Sequence, residues 1–253
     1  MSSQLRLDHV RGVLLRLEET ILFGLIERAQ FRRNDVVYRP GALGEALGGE
    51  SLVGYLLHET EKVHARLRRY TSPDEHPFFG DLPAPVLPAL AYGDSPLVPN
   101  AININARIRT TYETEIVPFV CVEGDDRQYG SSAVSDVACL QAISKRVHYG
   151  KFVAESKYRC DPGGYAPLIR AGDAVALASR ITDDAVEAAV LGRVTHKART
   201  YGSEVAAAGT VAVDPGLFAE IYRRWIIPMN KDVQIRYLLQ RLNGEPERQA
   251  EGV

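Results

Sequence analysis

The chain has 253 residues, of which 45% are hydrophobic and 25% are charged, a composition typical of a soluble globular protein. Its formal net charge of -2 at pH 7 gives no indication of binding to nucleic acid or to an anionic membrane surface. No apolar run is long enough to cross a membrane and the first residues lack the apolar core of a signal peptide, so we expect no membrane or nucleic-acid partner.

Apolar residues recur at helical spacing along most of the chain, and strand-like alternation is nowhere sustained. Residues 71–100 are different, because their seven prolines exclude a long helix or a central strand, and we interpret this stretch as an ordered connection. The predicted fold class is therefore all-α, with a single domain over residues 1–253. The predicted helices are 5–31, 51–70, 102–120, 131–159, 165–171, 173–179, 182–201 and 215–242.

The stretch from Asp136 to Arg159 is predicted to be one helix that carries two cations, Arg146 and Lys157, eleven residues apart. Eleven residues make almost three helical turns, so both cations should lie on one stripe, with Cα atoms about 16 Å apart along the axis. Gly150 lies between them and weakens a helix interior by roughly 1 kcal/mol relative to alanine, which suggests close approach of a ligand or a neighbouring helix. This geometry suits a compact dianion held at both ends. The alternative is a solvated basic face.

Other polar residues are paired at helical spacing. Arg11 and Glu18 are seven residues apart, so they share one face of the first predicted helix. Asp183 and Glu187 are four residues apart at the start of a helix, where acidic residues also serve as partners of the helix dipole. The spacing alone therefore leaves a catalytic and a purely structural role open.

Asn230 and Gln234 are four residues apart on the last predicted helix, among apolar neighbours. Such amides are either surface residues or internal hydrogen-bond partners. The sequence lacks the HExxH and GxSxG motifs, a phosphate-binding glycine-rich loop and a Cys/His cluster with metal spacing. We therefore expect no cofactor and no metal. An enzyme with this inventory would act through charges and hydrogen bonds that helices hold in place.

Five blocks, in order along the chain, carry a resemblance to known proteins: 10–31, 66–79, 129–158, 181–194 and 221–242. The third block reads YGSSAVSDVACLQAISKRVHYGKFVAESKY. Together the blocks resemble the eukaryotic-type, all-helical chorismate mutases of fungi and plants. The resemblance implies a single-domain helical bundle of the AroQ type. It also implies an isomerase that converts chorismate to prephenate by a cofactor-free Claisen rearrangement, in phenylalanine and tyrosine biosynthesis.

The resemblance implies catalytic roles for five residues. Arg11 and Arg146 match the arginines that bind the substrate carboxylates, for which a planar guanidinium is well suited. Lys157 matches the lysine that contacts the ether oxygen and a carboxylate, and Gln234 matches the second donor to the ether oxygen. Glu187 matches the carboxylate that holds the ring hydroxyl. Catalysis then consists of holding the substrate folded and placing donors where negative charge develops.

Two further residues, Asp183 and Asn230, match positions that support the substrate. Fungal members carry Asn, Thr and Glu at the positions of Asp183, Asn230 and Gln234, so this chain departs from the fungal pattern three times. The small bacterial helical mutases use Asp and Gln at the first and last of these positions. Asn230 is less familiar at its position, and the resemblance leaves its role open.

Regulated members of the family carry an effector site at a dimer interface, where tyrosine inhibits and tryptophan activates. Four residues of this chain match that site: Arg68, Arg69, Gly130 and Ser131. The free N–H groups at a helix N-terminus favour the carboxylate of an amino acid. However, Val134 and the pair Arg127-Gln128 depart from the regulated pattern, so regulation by tyrosine or tryptophan stays open.

The resemblance also implies a homodimer. Cys121, Cys139 and Cys160 are odd in number and lack CxxC spacing, which is typical of thiols in a reducing compartment, so we expect a cytoplasmic protein. Two other functions stay open: a helical binding protein that has lost the activity, and a secreted mutase that acts on a host's metabolism. The full set of charged and amide side chains argues against the first, and the unpaired cysteines argue against the second.

Overall fold

The structure, a computed structural model, describes Leu5 and residues 7–90, 95–207 and 214–243. Within these ranges the regular structure is helical and no strand occurs, which confirms the predicted all-α class. None of the helices described is both long and apolar enough to span a membrane. The α-helices are α1 (Leu7–Arg28), α2 (Leu52–Arg66), α3 (Asn105–Thr111), α4 (Val117–Val120), α5 (Tyr129–His148), α6 (Gly150–Cys160), α7 (Pro162–Arg170), α8 (Ala174–Ile181), α9 (Asp184–Ala207), α10 (Pro215–Ile221) and α11 (Ile227–Gln240).

Aspartates set the starts of several helices in the second half of the chain. The side chains of Asp161, Asp173 and Asp214 each accept a hydrogen bond from a backbone N–H in the first turn of α7, α8 and α10. Pro162 and Pro215 follow two of these caps, at a position where the missing N–H costs nothing. The local sequence therefore fixes where these helices begin.

The helix predicted over residues 131–159 is in fact two helices, α5 and α6, which meet at Tyr149. Tyr149 has ψ -12°, and the N–H of Phe152 bonds its carbonyl three residues back, so the α-helical pattern is interrupted there. The interruption coincides with Asn230 of α11, whose side chain bonds the carbonyl oxygens of Arg146 and Val147. A contact from a distant helix thus divides what the local sequence predicts as one helix.

The helices predicted over 102–120 and 215–242 each contain a π-helical turn, at Tyr112–Ile116 and Tyr222–Ile226. In both cases a proline, Pro118 or Pro228, lies in the first turn of the α-helix that follows. Proline has no N–H to donate to the preceding turn, and a π-helical turn just before it accommodates this loss. The two turns place Tyr112 and Tyr222, both fully buried, at equivalent points of their helices.

Helix α5 is the central element, since α1, α2, α3 and α11 all pack against it. A buried ionic cluster joins its first half to α1, where Arg28 Nε lies 2.6 Å from Asp136 Oδ1 and neither side chain is exposed. The hydroxyl groups of Tyr38 and Tyr112 donate to the same carboxylate, at 2.7 and 2.8 Å. Burial alone would lower the pKa of Arg28, but the charge of Asp136 raises it, so the guanidinium remains a cation. Helix α5 is thereby fixed firmly at this end.

Candidate active site

Arg146 lies in the last turn of α5 and is 5% exposed. Its Nε and Nη1 atoms are buried and have no hydrogen-bond partner in the described part of the chain. Burial lowers the pKa of this guanidinium, although Tyr222 and Glu18 lie close enough to act against that effect. A desolvated guanidinium with open donors is an arrangement suited to bind an anion.

Glu18 of α1, the carboxylate that acts on the pKa of Arg146, forms an ion pair with a different cation. Arg193 of α9 donates through Nη2 to Glu18 Oε1 at 3.1 Å, and Glu18 itself is 2% exposed. The hydroxyl of Tyr222 is also buried and has no partner among the described residues. Sequence reasoning missed Arg193 and Tyr222, and no sequence motif marks either residue.

Lys157 of α6 lies beside the junction between α8 and α9. Its Nζ atom donates to the carbonyl oxygen of Ile181 at 2.6 Å, and the side chain is partly buried. Burial lowers the pKa of Lys157, the neighbouring charge of Asp183 raises it, and that of Lys231 lowers it. An ammonium group has three donors, so Lys157 retains capacity for a second acceptor.

The two acidic residues of this region have different surroundings. Asp183 is exposed and caps α9, since its Oδ1 accepts from the N–H groups of Ala185 and Val186 at 3.1 Å. Glu187 is partly buried and pairs with Lys231 of α11 at 2.9 Å. The structural role that the sequence left open for acidic residues at a helix start is therefore seen at Asp183. Lys231 was not identified from the sequence, because a lysine on an amphipathic helix is usually a surface residue.

Asn230 and Gln234 are both buried on α11 and hydrogen-bonded to each other, with Gln234 Nε2 donating to Asn230 Oδ1 at 2.9 Å. Asn230 also bonds the end of α5, as described above. The Oε1 atom of Gln234 is buried and lacks a partner among the described residues. A Cβ atom on Gly150 would lie 2.8 Å from the carbonyl oxygen of Asn230, so only glycine fits beneath this amide. The close approach that Gly150 suggested is that of a neighbouring helix.

The contacts thus join the predicted residues into two groups. One group contains Arg146, Asn230 and Gln234, where α5 meets α11. The other contains Lys157, Asp183 and Glu187, where α6 meets the start of α9. Helix α11 reaches both groups, because Lys231 follows Asn230 directly and pairs with Glu187. Arg11 is exposed on α1, seven residues before Glu18.

Two of the residues predicted to bind an effector, Arg68 and Arg69, follow α2, and Arg69 contacts the second half of α5. Arg69 donates to Glu75 at 3.1 Å and to Gln141 of α5 at 2.9 Å, and it also contacts His64. Arg68 has a left-handed backbone conformation, with φ 69°, and donates to the carbonyl oxygen of Pro88.

Gly130 and Ser131 are exposed in the first turn of α5. Sixteen residues separate Gly130 from Arg146, which corresponds to about 24 Å along a helix axis. A single helix therefore carries part of the predicted effector site at its start and part of the candidate active site in its last turn.

Known proteins resemble the chain over almost its whole length. The family model for type II chorismate mutases matches residues 128–235. The chain is 45% identical over 249 residues to the chorismate mutase of Schizosaccharomyces pombe, which covers 96% of this chain and 98% of that relative. The crystal structure of the chloroplast chorismate mutase from Zea mays superimposes with a TM-score of 0.89 at 46% identity, covering 97% of this chain and 98% of that one. The structure of AtCM1 with tyrosine bound in its allosteric site gives a TM-score of 0.87 at 45% identity, covering 96% of this chain and 98% of that one.

Proposed function

The chain belongs to the family of chorismate mutases and converts chorismate to prephenate, and we propose that it does so in a pocket formed by Arg146, Lys157, Glu187 and Gln234, with Arg11 at its entrance. One observation carries the assignment of this pocket. The guanidinium of Arg146 is buried, two of its nitrogen atoms have no hydrogen-bond partner in the described part of the chain, and the nearby carboxylate of Glu18 is paired with Arg193. Leaving a buried cation without a partner is costly, and a substrate carboxylate removes that cost on binding.

The chemistry requires no nucleophile and no proton transfer. During the rearrangement the ether C–O bond breaks before the new C–C bond is complete, so negative charge develops on the ether oxygen. In our proposal Lys157 and Gln234 donate to that oxygen, and the remaining N–H groups of Lys157 and the fork of Arg146 hold the carboxylates. Two or three such preorganised donors, each worth about 3–4 kcal/mol, are enough for an acceleration at the low end of the enzymatic range, which needs about 8 kcal/mol.

Glu187 completes the pocket by holding the ring hydroxyl of the substrate. Its pairing with Lys231 at 2.9 Å orients the carboxylate, so that one oxygen accepts from lysine and the other is available to the hydroxyl. Asp183 supports the site indirectly, because the cap that it provides fixes the start of α9, which carries Glu187.

The test of the pocket is the loss of chorismate absorbance with purified protein. Arg146→Ala should reduce turnover at least about a hundredfold, the scale for removing one preorganised charged contact. The matched control is Arg236→Ala, which removes an exposed arginine that pairs with Asp232 on α11 and should leave turnover unchanged. Near-normal turnover in Arg146→Ala would reject the assignment.

We further propose that an aromatic amino acid, tyrosine or tryptophan, regulates the enzyme by binding near Arg68, Arg69, Gly130 and Ser131. The tyrosine-bound AtCM1 structure supports this proposal, as does the position of Arg69, which already contacts α5 through Gln141. Because α5 extends from the effector residues to Arg146, any shift of this helix on effector binding acts on both sites.

Regulation is tested by substrate saturation curves at millimolar tyrosine and at millimolar tryptophan. We expect each to shift the curve, and Arg69→Ala should abolish the shift while retaining activity without effector. Flat curves for both amino acids would reject regulation and leave the arginine pair as a structural feature.

We also propose that the enzyme is a cytoplasmic homodimer. Helices α2 and α5 pack against each other and leave Val63, Leu67 and Val134 more than half exposed, which a second copy of the chain would cover. The three cysteines form no disulfide, as expected in a reducing compartment. Light scattering should give twice the chain mass of 27.9 kDa, and Leu67→Asp should shift the protein to the monomer.

A further inference from the structure

Asn230 is held between two residues of the proposed pocket. Its Nδ2 atom donates to the carbonyl oxygens of Arg146 and Val147, at 3.2 and 3.0 Å, and its Oδ1 atom accepts from Gln234 Nε2 at 2.9 Å. The residue is 8% exposed, and three hydrogen bonds use both ends of its amide. Asn230 therefore has little capacity left to bind a substrate directly.

These bonds have a direction that cannot be reversed. The carbonyl oxygens at the end of α5 can only accept, so the NH₂ group of Asn230 must face them. The oxygen of Asn230 must then face Gln234, and Gln234 must present its NH₂ group, since a flipped amide would bring two oxygens together. The backbone of α5 thus determines the orientation of both amides.

The start of α6 packs tightly against Asn230. A Cβ atom on Gly150 would lie 2.9 Å from Asn230 Nδ2 as well as 2.8 Å from its carbonyl oxygen, so α6 starts directly against this side chain. On the other side, Gln234 keeps one N–H of its Nε2 after bonding Asn230, and its Oε1 is buried without a partner among the described residues. The Gln234 amide therefore has one N–H and one oxygen available to a ligand.

We propose that Asn230 is a positioning residue that transmits the hydrogen-bond polarity of the carboxyl end of α5 to Gln234, and so holds a Gln234 N–H toward the reacting ether oxygen. The proposal rests on the function proposed above and specifies how one of its donors is oriented. It assigns Asn230 a role different from substrate contact: the residue acts through Gln234. It also makes Asn230 and Gln234 a matched pair, because an acceptor at position 230 requires a donor at position 234.

The matched pair has a consequence for the substitution Gln234→Glu. With Asn230 in place, the introduced carboxyl faces an amide oxygen, which accepts from the protonated acid and repels the ionised one. Serine at position 230 can donate or accept, so it does not favour the protonated acid. The carboxyl introduced by Q234E should therefore titrate at higher pH with Asn230 than in the double variant N230S/Q234E, by about one pH unit, the size expected for one hydrogen bond.

Other ionisable groups near this position are common to both proteins and cancel in the comparison. The groups on the surrounding elements include Arg146 on α5, Lys157 on α6, Tyr165 on α7, Arg180 on α8, Glu187 on α9, Lys231 on α11 and Tyr222 in the preceding π-helical turn. Arg180 forms an ion pair with Asp161, and its guanidinium lies over the ring of Tyr165. The difference between the single and double variants therefore reports the residue at position 230.

The experiment compares the native protein with N230S, Q234E and N230S/Q234E. NMR titration of the carboxyl introduced by Q234E gives its pKa without reference to turnover, and kcat and KM are measured against pH in parallel. N230T serves in place of N230S if the serine variant does not fold. The native protein, with a neutral donor, should keep its activity from about pH 5 to 8, and Q234E should be active only on the acid side of its carboxyl pKa.

We expect N230S to lower kcat about tenfold with little change in KM, and the pKa of the introduced carboxyl to fall on going from Q234E to N230S/Q234E. An equal pKa in the two proteins would overturn the proposal, as would a raised KM with unchanged kcat in N230S, which indicates direct substrate contact. A native protein without turnover would contradict the proposed function alone, because the NMR comparison still tests the orientation of position 234.

Discussion

Two buried arginines have opposite surroundings: Arg28 of α1 contacts the first half of α5, and Arg146 lies in the last turn of α5. Arg28, near the start of α5, has an ion pair with Asp136, a hydrogen bond to Tyr38 and three carbonyl acceptors in the following loop. Arg146, at the end of the same helix, has two buried nitrogen atoms without any partner in the described ranges. Burial lowers the pKa of Arg146, whereas at Arg28 the effect of burial is more than offset by Asp136 together with Tyr38 and Cys121. The difference indicates which buried charge stabilises the fold and which is available to a ligand.

A third buried cation shows that neutral acceptors can take the place of an anion. Lys151 of α6 is 3% exposed and donates to the carbonyl oxygen of Ile102 and to His76 Nε2, at 2.5 and 2.7 Å. Burial lowers its pKa to about 8. His76 stacks on His148, which accepts from the N–H of Ile104. Lys151 thus joins α6 to the proline-rich connection, with two of its three donors occupied.

The largest effect on stability is expected at Arg28, the arginine that forms the buried ion pair. Arg28→Met leaves Asp136 buried without its cation, so the free energy of unfolding should fall by about 3–5 kcal/mol in denaturant titrations. The double variant R28M/D136L removes both charges and should recover part of that loss. A loss below about 1 kcal/mol in R28M would mean that the Arg28 cluster is not structural, and the contrast with Arg146 would fail.

The histidines beside Lys151 should make stability depend on pH. Burial lowers the folded-state pKa of His148 to about 4 and that of His76 to about 2, below the unfolded value of about 6.5. The unfolded state therefore binds more protons below pH 6.5, and stability should fall as the pH decreases from 6.5 toward 4, by up to about 1.4 kcal/mol per pH unit for each histidine. Denaturant titrations between pH 4 and 7 measure this slope. His76→Gln should reduce it, and an unchanged slope would show that His76 does not stay neutral in the fold.

The two tyrosines of the π-helical turns provide a smaller, matched comparison. Tyr112 donates to Asp136 Oδ1 at 2.8 Å, so Tyr112→Phe should cost about 1–2 kcal/mol of stability. Tyr222 has a buried hydroxyl without a described partner, so Tyr222→Phe should change stability by less than about 0.5 kcal/mol. Thermal and denaturant unfolding of the two variants, side by side, measure the difference. Equal losses would show that the Tyr222 hydroxyl is bonded in the fold.

The helical fold could be predicted because it depends on local patterns. The apolar period marks α1 and α2, and an aspartate cap such as Asp161 marks where a helix starts. The break at Tyr149 could not be predicted, because it coincides with contacts from Asn230 on a helix some eighty residues later in the chain. Local sequence carries no information about such a contact.

The site could be predicted only in part, because some of its contacts also join helices that are distant in the sequence. Arg146 and Lys157 stand out through their spacing, and the resemblance identifies Gln234. Arg193 lies on a partly exposed helix face, and only the fold shows that it pairs with Glu18, while two nitrogen atoms of Arg146 have no partner among the described residues. That Arg146 and Lys157 project into one pocket stays a prediction.

The central claim is that the buried guanidinium of Arg146 binds the substrate and does not stabilise the fold. The most direct test is the free energy of unfolding of Arg146→Met, measured in denaturant together with turnover. Because methionine fills a similar space without a charge to desolvate, we predict stability equal to or above that of the native protein, with turnover reduced at least about a hundredfold. A loss of stability close to that of Arg28→Met, or turnover near the native rate, would contradict the account.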